Sequence, residues 1–411
     1  MSPEPTDLAR GASLPNQQAV IVSCARTAVG TAGRGSLVDV DALDLATTVV
    51  GEAVRRSGID PALLDDVVLA EGLYGGGDIA RYAALEVGLQ HVPGVAVNRH
   101  CAAGLAAIHS GASSIMAGMD RAVVVGGTQS SSTMPMVRRR VPGTDEWDDW
   151  MSPSHRDSRE APNRDMSITV GWNAARKTGL TREELDAWAL RSHQRAVAGI
   201  DRGAFVDEIV PIEVARRDGT TFSFEVDEHP RRDTTLEKLA SLKVIHPEIE
   251  GFSITAGNAS GINDGAAAMV LTSASLAESE GLTPLATIRS WASVGVDPAD
   301  TGLGPVFAIP KALERAGLGV DDIDLWEINE AFAAVPVAAC KRLGLDEAIV
   351  NPLGSGCSLG HPIAMTGARM VITLLHELRR RGGGTAVAAM CVGGGMGSAL
   401  VLDVPRGGGN Q

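Results

Sequence analysis

An α/β architecture of two related halves, with a long inserted lobe, is what this sequence predicts. Short apolar runs of strand type alternate with helix-patterned stretches, a rhythm that belongs to βαβ units around a buried sheet. The rhythm recurs later in the chain, as it would after duplication of a half-domain. Of the 411 residues, 48 are Gly and only 3% are aromatic. Cores must therefore be built from Ala, Val, Leu and Ile, with tight turns and close backbone approaches. At roughly 100–200 residues per domain, the length leaves room for two or three domains with sizeable cores.

Taken in order, the first strand is expected at Ala19-Val20-Ile21-Val22. Asp41 to Gly58 reads as a helix, because Leu43, Leu45, Ala46, Val49, Val50, Ala53 and Val54 recur every three to four residues and Ser57-Gly58 stops it. Val67-Val68-Leu69 and Val95-Ala96-Val97 are the next strands, Cys101 to Met119 is a small-residue helix, and Ala122 to Val125 is a strand ending at Gly126-Gly127. Pro310 to Gly317 is a later helix leading to Asp324-Leu325-Trp326, as the earlier helix leads to Leu64-Asp65-Asp66-Val67-Val68-Leu69. Thr385 to Val392 before Gly393-Gly394-Gly395 echoes Ala122 to Val125. The two echoes lie about 256 and about 264 residues apart. Between Ser132 and Gly261 the character changes: four of the six Trp, most Arg clusters, and a helix from Thr181 to Ala198, where Thr181 followed by Glu183-Glu184 makes a cap. That stretch reads as a lobe over the core, where specificity commonly sits.

Charge and cysteine usage narrow the function. A net charge of −14 excludes the basic footprint of a nucleic-acid binder. Arg138-Arg139-Arg140, followed by Asp145-Glu146-Trp147-Asp148-Asp149, is a solvated loop by its mixed sign. The five cysteines, Cys24, Cys101, Cys340, Cys357 and Cys391, are scattered without a C-x-x-C pair, so neither a disulfide framework nor a zinc site fits and a reducing, cytoplasmic setting is expected. The polar first 18 residues lack the apolar core of a signal peptide, and no apolar run reaches the ~18–20 residues of a membrane span. Gly407 to Gln411 is not a peroxisomal address.

Four junctions between strand and helix carry polar or nucleophilic groups. Cys101 follows the Val95–Val97 strand and opens a helix, where the positive end of the helix dipole would favour a thiolate. A buried structural cysteine is the alternative. His361, in Leu359-Gly360-His361-Pro362, stands before a helix whose first position suits Pro362. Its imidazole would stay neutral there and act as base or hydrogen-bond donor, or be an ordinary loop histidine. Cys391 enters Val392-Gly393-Gly394-Gly395-Met396-Gly397, whose amides could face an oxyanion. Ser398 breaks the dinucleotide fingerprint there, and a core cysteine beside a tight turn is the alternative. Asn329, in Asn329-Glu330-Ala331-Phe332-Ala333, ends a strand where open α/β sheets place function, unless it merely caps the next helix. One thiol as nucleophile, an imidazole as its base and a second thiol as proton carrier form a coherent set.

These blocks resemble those of the thiolase family, the acetyl-CoA acetyltransferases and 3-ketoacyl-CoA thiolases, over about residues 19 to 404. Asn98-Arg99-His100-Cys101 is similar to the nucleophile segment, Asn329 to Ala333 to the N-E-A-F block, Gly360-His361-Pro362 to G-H-P, and Cys391 to Gly397 to C-x-G-G-G-x-G. Thr255 to Gly265 resembles the stretch beside bound pantetheine, and Asp227-Glu228-His229-Pro230-Arg231 the CoA-contact segment. The resemblance implies a thiolase fold, with two related five-layer α/β/α/β/α core halves plus the lobe. Residues 19–131 with 262–283 would form the half carrying Cys101, 132–261 the lobe contacting CoA, and 284–406 the half carrying Asn329, His361 and Cys391. Residues 1–18 and 407–411 would be tails.

The resemblance also implies roles. His361 deprotonates Cys101, Cys391 moves the α-proton of the acetyl-CoA unit, and two oxyanion sites form. One comprises His361 and a water held by Asn329; the other comprises the N–H groups of Cys101 and Gly393. Arg231 would meet the nucleotide end of CoA, Ser260 the pantetheine, and Met166 the substrate. Acyl-CoA and CoA are then substrates, with no metal or tightly bound cofactor, and the chain assembles as a homodimer or homotetramer.

Departures bear on substrate. Ala102-Ala103 replace a small polar pair, Gln129 stands where Glu is frequent, and Asp165-Met166 replaces the His-Met of short-chain biosynthetic members. These favour a broader or unusual 3-ketoacyl chain over acetoacetyl-CoA. Thiolysis is the downhill direction, so degradation is favoured over synthesis. A decarboxylating ketoacyl synthase of the same fold would lack Cys391. A non-catalytic acyl-CoA-binding relative would be expected to lack Cys101, His361 or Cys391.

Overall fold

The computed structural model describes residues 17–72 and 77–407. Apart from residues 17, 18 and 407, the two expected tails lie outside the described residues. The first long helix, Ala42–Ser57, begins where the Asp41 carboxylate accepts from Leu43 N–H and ends at Gly58, whose φ of 66° a side chain would oppose. In the lobe, Arg182–Asp201 begins with the reciprocal Thr181/Glu184 capping pair. Two expected boundaries move. The later helix runs Gly304–Ala316, with Pro305 in its first turn and Pro310 inside it. Pro310 lies on the exposed side, where water can serve the Val306 carbonyl that a proline cannot bond. Pro362 is the N-cap of Ile363–Arg380, one position earlier than expected.

One ten-stranded sheet runs through the molecule in the order 325–328, 384–392, 396–404, 286–295, 19–26, 263–273, 122–129, 66–71, 94–97, with Gly30–Thr31 attached to the 263–273 strand. The duplication expected from sequence is visible in the connectivity. In the first half the edge strand 94–97 pairs with 66–71, followed by 122–129, 263–273 and 19–26; in the second, 325–328 is followed by 384–392, 396–404 and 286–295. The counterpart of the 94–97 strand is reduced to a single bridge between Trp326 and Val350. The halves meet along a two-residue antiparallel seam, Val20 with Thr287 and Ile21 with Ala286.

Both faces of these strands are covered, which explains the continuous apolar runs. Side chains alternate across the sheet: Val123 and Val125 belong to the middle core while Ala122 and Val124 belong to an outer one. The middle core holds two neighbouring helices, Ala103–Met116 and Ile363–Arg380, flanked by strands of both halves. Ala42–Ser57 and Ile79–Glu86 cover the outer face of one half. Gly304–Ala316, backed by Ala334–Leu343, covers the other. The result is α/β/α/β/α, with the central helical layer shared by the halves.

That central contact is close because side chains are missing from it. A Cβ on Gly104 would sit 2.8 Å from the Ala364 carbonyl oxygen, and one on Gly367 2.5 Å from Leu105 N. Only glycine lets the two helix starts meet at this distance.

Between the paired strands Ala122–Gln129 and Asn263–Ser273 the chain makes its long excursion. It is fastened back by a buried cluster in which Arg26 donates to Glu208 at 2.7 Å and to both oxygens of Asp227 at 2.8 and 2.9 Å. Glu228 accepts from Thr31 N–H and from the Ser36 backbone and hydroxyl. The Asp227–Arg231 segment is thereby set against the core.

Candidate active site

The 94–97 strand ends in a forced turn. His100 has φ of +46°, a left-handed conformation that costs a non-glycine residue about 1 kcal/mol or more. Asn98 holds it there, its Oδ1 accepting from His100 N–H at 2.8 Å and its Nδ2 donating to the Gly72 carbonyl at 3.0 Å. Ala102 and Ala103 N–H then bond the Arg99 and His100 carbonyls, and the Ala103–Met116 helix starts with Cys101 at its mouth, partly exposed.

The thiolate expected at this helix start is not the resting form. Burial pushes the Cys101 thiol up, and the backbone N–H groups of Gly393 and of Cys101 itself offset only part of that. Desolvation outweighs the dipole, so this thiol needs a base.

His361 is buried at the start of the neighbouring central helix. Its N–H donates to Asn263 Oδ1 at 3.0 Å. Nδ1 lies 2.7 Å from Thr366 Oγ1, and that hydroxyl donates its one hydrogen to the Pro362 carbonyl at 2.7 Å. The hydroxyl must therefore accept from Nδ1–H, which leaves the lone pair on Nε2. Burial, with the nearby Arg369 charge, lowers the imidazole to about 4. The sequence pointed to neutrality from the helix start; the larger cause is desolvation. Together Cys101 and His361 form a resting neutral thiol and neutral imidazole.

Asn329 is fully buried, fixed by its N–H to the Ala389 carbonyl, with Nδ2 3.5 Å from His361 Nε2. It is not a helix cap: the next helix starts at Ala334, with Ala333 as a cap lacking any side-chain bond. Asn329 Oδ1 is buried without a partner among the described residues, free to hold a water or a substrate group. The adjoining Glu330 is structural, accepting from Trp188, Ser192, Asn351 and the Cys357 N–H.

Cys391 comes from the second half, near the end of strand Gly384–Val392, opposite Gly397. Gly393 to Gly395 make the hairpin turn that follows, and a Cβ on Gly393 would lie 3.7 Å from His100 Cβ. The turn thus presses on the His100–Cys101 corner. Burial raises the Cys391 thiol further than that of Cys101, and the nearness of Cys101 adds to it. At rest Cys391 therefore holds its proton.

The three expected CoA contacts divide. Ser260 reaches the site wall: its N–H bonds the Ala331 carbonyl, and Ile262 bridges to His361. Arg231 is exposed, its N–H donating to His193 Nδ1 at 3.2 Å, one step from His229, which packs on Gly261. Met166 is half-buried against the outer core of the second half. Sequence reasoning missed Asn98, His100, Asn263 and Thr366 as site builders. Thr366, in the first turn after Pro362, was the one with a findable signal. Among the described residues no cluster of three or more His, Cys, Asp or Glu could hold a metal, and no helix is long and apolar enough to cross a membrane.

Residues 19–275 match the family description "Thiolase, N-terminal domain" and 282–404 "Thiolase, C-terminal domain". An acetyl-CoA acetyltransferase of Pseudomonas aeruginosa is 43% identical over 399 residues, 94% of this chain and 99% of that protein. A beta-ketoadipyl-CoA thiolase of the same organism is 41% identical over 404 residues, covering 94% and 99%. The crystal structure of human mitochondrial 3-ketoacyl-CoA thiolase superposes with a TM-score of 0.87 at 36% identity, covering 95% of this chain and 100% of that one.

Proposed function

This chain belongs to the thiolase family and is an acyltransferase of CoA thioesters, and on that premise we propose that Cys101, His361, Cys391 and Asn329 carry its chemistry. His361 Nε2 takes the Cys101 proton as the sulfur attacks the 3-keto carbon of a 3-ketoacyl-CoA. The carbonyl oxygen gathers the negative charge and then re-forms its double bond, breaking the bond between the α-carbon and the keto carbon. Cys391 delivers its proton to the departing α-carbon, releasing acetyl-CoA. CoA then gives its thiol proton to the Cys391 thiolate and attacks the Cys101 thioester; the shortened acyl-CoA leaves as Cys101 recovers its proton from His361. Charge on the thioester oxygens falls to two donor sets, Gly393 with Cys101 N–H and His361 with a water on Asn329. The reverse sequence is the Claisen condensation.

One observation carries this reading: the Gly393 turn that follows Cys391 packs on the His100–Cys101 corner, where a Cβ on Gly393 would lie 3.7 Å from His100 Cβ. That closeness supports a nucleophile from one half with a proton carrier and an oxyanion donor from the other. Arg231 and Ser260 are assigned to CoA and Met166 to the substrate, with residues 132–261 as the lobe contacting CoA and residues 19–131 with 262–283 and 284–406 as the core halves. Thiolysis is the favoured direction because it is downhill. Five free cysteines support a reducing, cytoplasmic setting. The 94–97 strand is paired on one side only, with Val95 exposed, which supports assembly as a homodimer or homotetramer.

The division of labour is tested by mass spectrometry. Cys391→Ala incubated with acetyl-CoA should carry one acetyl group on Cys101 and make no acetoacetyl-CoA. Absence of the adduct, or continued condensation, removes Cys391 from its role.

A further inference from the structure

The central helix Ile363–Arg380 carries a polar stripe through the apolar middle core. Thr366 holds the His361 proton, Arg369 lies one turn further on, and Thr373, a turn beyond that, donates to Glu208 Oε1 at 3.1 Å. Arg369 is only 1% exposed. Its Nη1 donates to Glu327 Oε1 and its Nη2 to Ser355 Oγ at 3.2 Å. Ser355 closes the triangle, its hydroxyl donating to the same Glu327 oxygen at 2.9 Å.

This triangle leads to the site along two segments. Glu327 stands on strand Leu325–Ile328, two residues before Asn329, and alternation puts both side chains on the face that Leu325 turns to the central layer. Ser355 begins the short turn Gly356–Leu359, its carbonyl accepting from Ser358 and Leu359 N–H, and that turn runs straight into Gly360 and His361. One guanidinium thus fixes both segments to a single helix. A buried Arg–Glu pair is a costly way to hold a core, because apolar side chains of similar volume often serve stability as well or better. What the pair supplies is direction, since a planar fork sets its acceptors at one spacing.

Resting on the roles given above to His361 and Asn329, we propose that Arg369 is a positioning residue for this reaction: with Glu327 and Ser355 it ties the Asn329 strand to the His361 turn, and so keeps imidazole and amide at the spacing their shared oxyanion site needs. The same cation acts through space. Arg369 is the charged group whose field, after burial, lowers His361. Neighbouring charges are engaged elsewhere: Glu330 accepts from Trp188, Ser192 and Asn351, and Glu208, whose charge raises Glu327, is bound by Arg26. Cys101 and Cys391 hold their protons at rest. The imidazole therefore stays neutral, ready to accept the Cys101 proton, down to a lower pH than burial alone would set.

The experiment replaces the pair by apolar residues, Arg369→Met with Glu327→Leu, and measures thiolysis of acetoacetyl-CoA and 3-oxohexanoyl-CoA across pH, alongside thermal unfolding. The midpoint should stay within about 5 °C of wild type. On the better substrate kcat should fall about 10- to 100-fold with KM within about threefold, and the acid-side decline of kcat/KM should begin at higher pH. Arg369→Lys keeps the charge but not the fork; its kcat should fall less, and its acid-side decline should match the wild type. A stable double variant with kcat within about twofold of wild type overturns the proposal. So does a lower kcat with an unshifted acid side, which altered packing alone would explain. Should the double variant not fold, Arg369→Lys decides: a lower kcat with the wild-type acid side supports the proposal, and any other result overturns it. Turnover that survives Cys101→Ser overturns the site assignments and this role together. An inactive Cys101→Ser beside an unimpaired double variant removes the role of Arg369 alone.

Discussion

The central helix Ile363–Arg380 has a buried imidazole beside each end, and each belongs to a sulfur neighbourhood. At its start is His361, beside Asn329, with the start of the Cys101 helix packed against its own. Near its end His376 meets Cys24 of the first strand, Nε2 to Sγ 3.4 Å. Both imidazoles are lowered to about 4, in each case first by burial, and burial pushes Cys24 up to about 12. Residue types and titration are thus alike at the two ends. What differs is the surroundings. The first imidazole has its proton pinned by Thr366 and the orphaned amide oxygen of Asn329 beside it, and the helix packed against its own opens on a partly exposed thiol. The second pair packs between strand and helix with its thiol buried. A thiol and an imidazole do not make a site; access and oriented neighbours do.

Four variants break or sharpen this contrast. The largest effect is expected for Cys101→Ser, where turnover should fall at least about 10⁴-fold and no acyl adduct should form; a covalent adduct elsewhere would move the nucleophile. Cys391→Ala, with acetylation kept and condensation lost, separates the two site thiols. Thr366→Val is a smaller change that removes only the acceptor of Nδ1–H. Its kcat should drop about 10- to 100-fold with KM little altered, and its pH–rate profile should shift as the tautomer is freed. An unshifted profile would make Thr366 a packing residue only.

His376→Gln belongs to the other end and should leave kcat within about twofold. Its signature is in stability. Above about pH 6.5 both imidazoles are neutral in folded and unfolded chains alike, and their contribution to stability is fully present. As pH falls from about 6.5 toward 4, the unfolded chain takes up protons that the folded imidazoles refuse, so stability is lost by up to about 3 kcal/mol per group. Urea titrations across that range should show a shallower decline for His376→Gln than for the wild type. Equal slopes would mean that His376 is not held neutral.

Much of the site was legible because chemistry at strand ends leaves a mark in sequence. Cys101, Asn329, His361 and Cys391 each follow an apolar run and precede a helix or a glycine turn. The duplication was legible because Leu64–Leu69 and Asp321–Trp326 keep the same pattern. The protonation of Cys101 was misjudged, since the helix start was visible and its desolvation by the opposing half was not. Pro310 misled the helix boundary because its exposed side, which makes it tolerable, is a tertiary property. The left-handed turn at His100 has no signal of its own, as it is imposed by the Asn98 bonds to Gly72 and His100.

The bare contact of Gly104 with Ala364 and of Gly367 with Leu105 has a bearing on engineering. Alanine in place of a helical glycine usually strengthens a helix by about 1 kcal/mol, so both positions look like inviting targets for thermostabilisation. Here each added methyl would wedge the paired helices apart and, with them, the two helix starts that carry Cys101 and His361. A more heat-resistant chain made that way would be expected to lose its chemistry before it lost its shape.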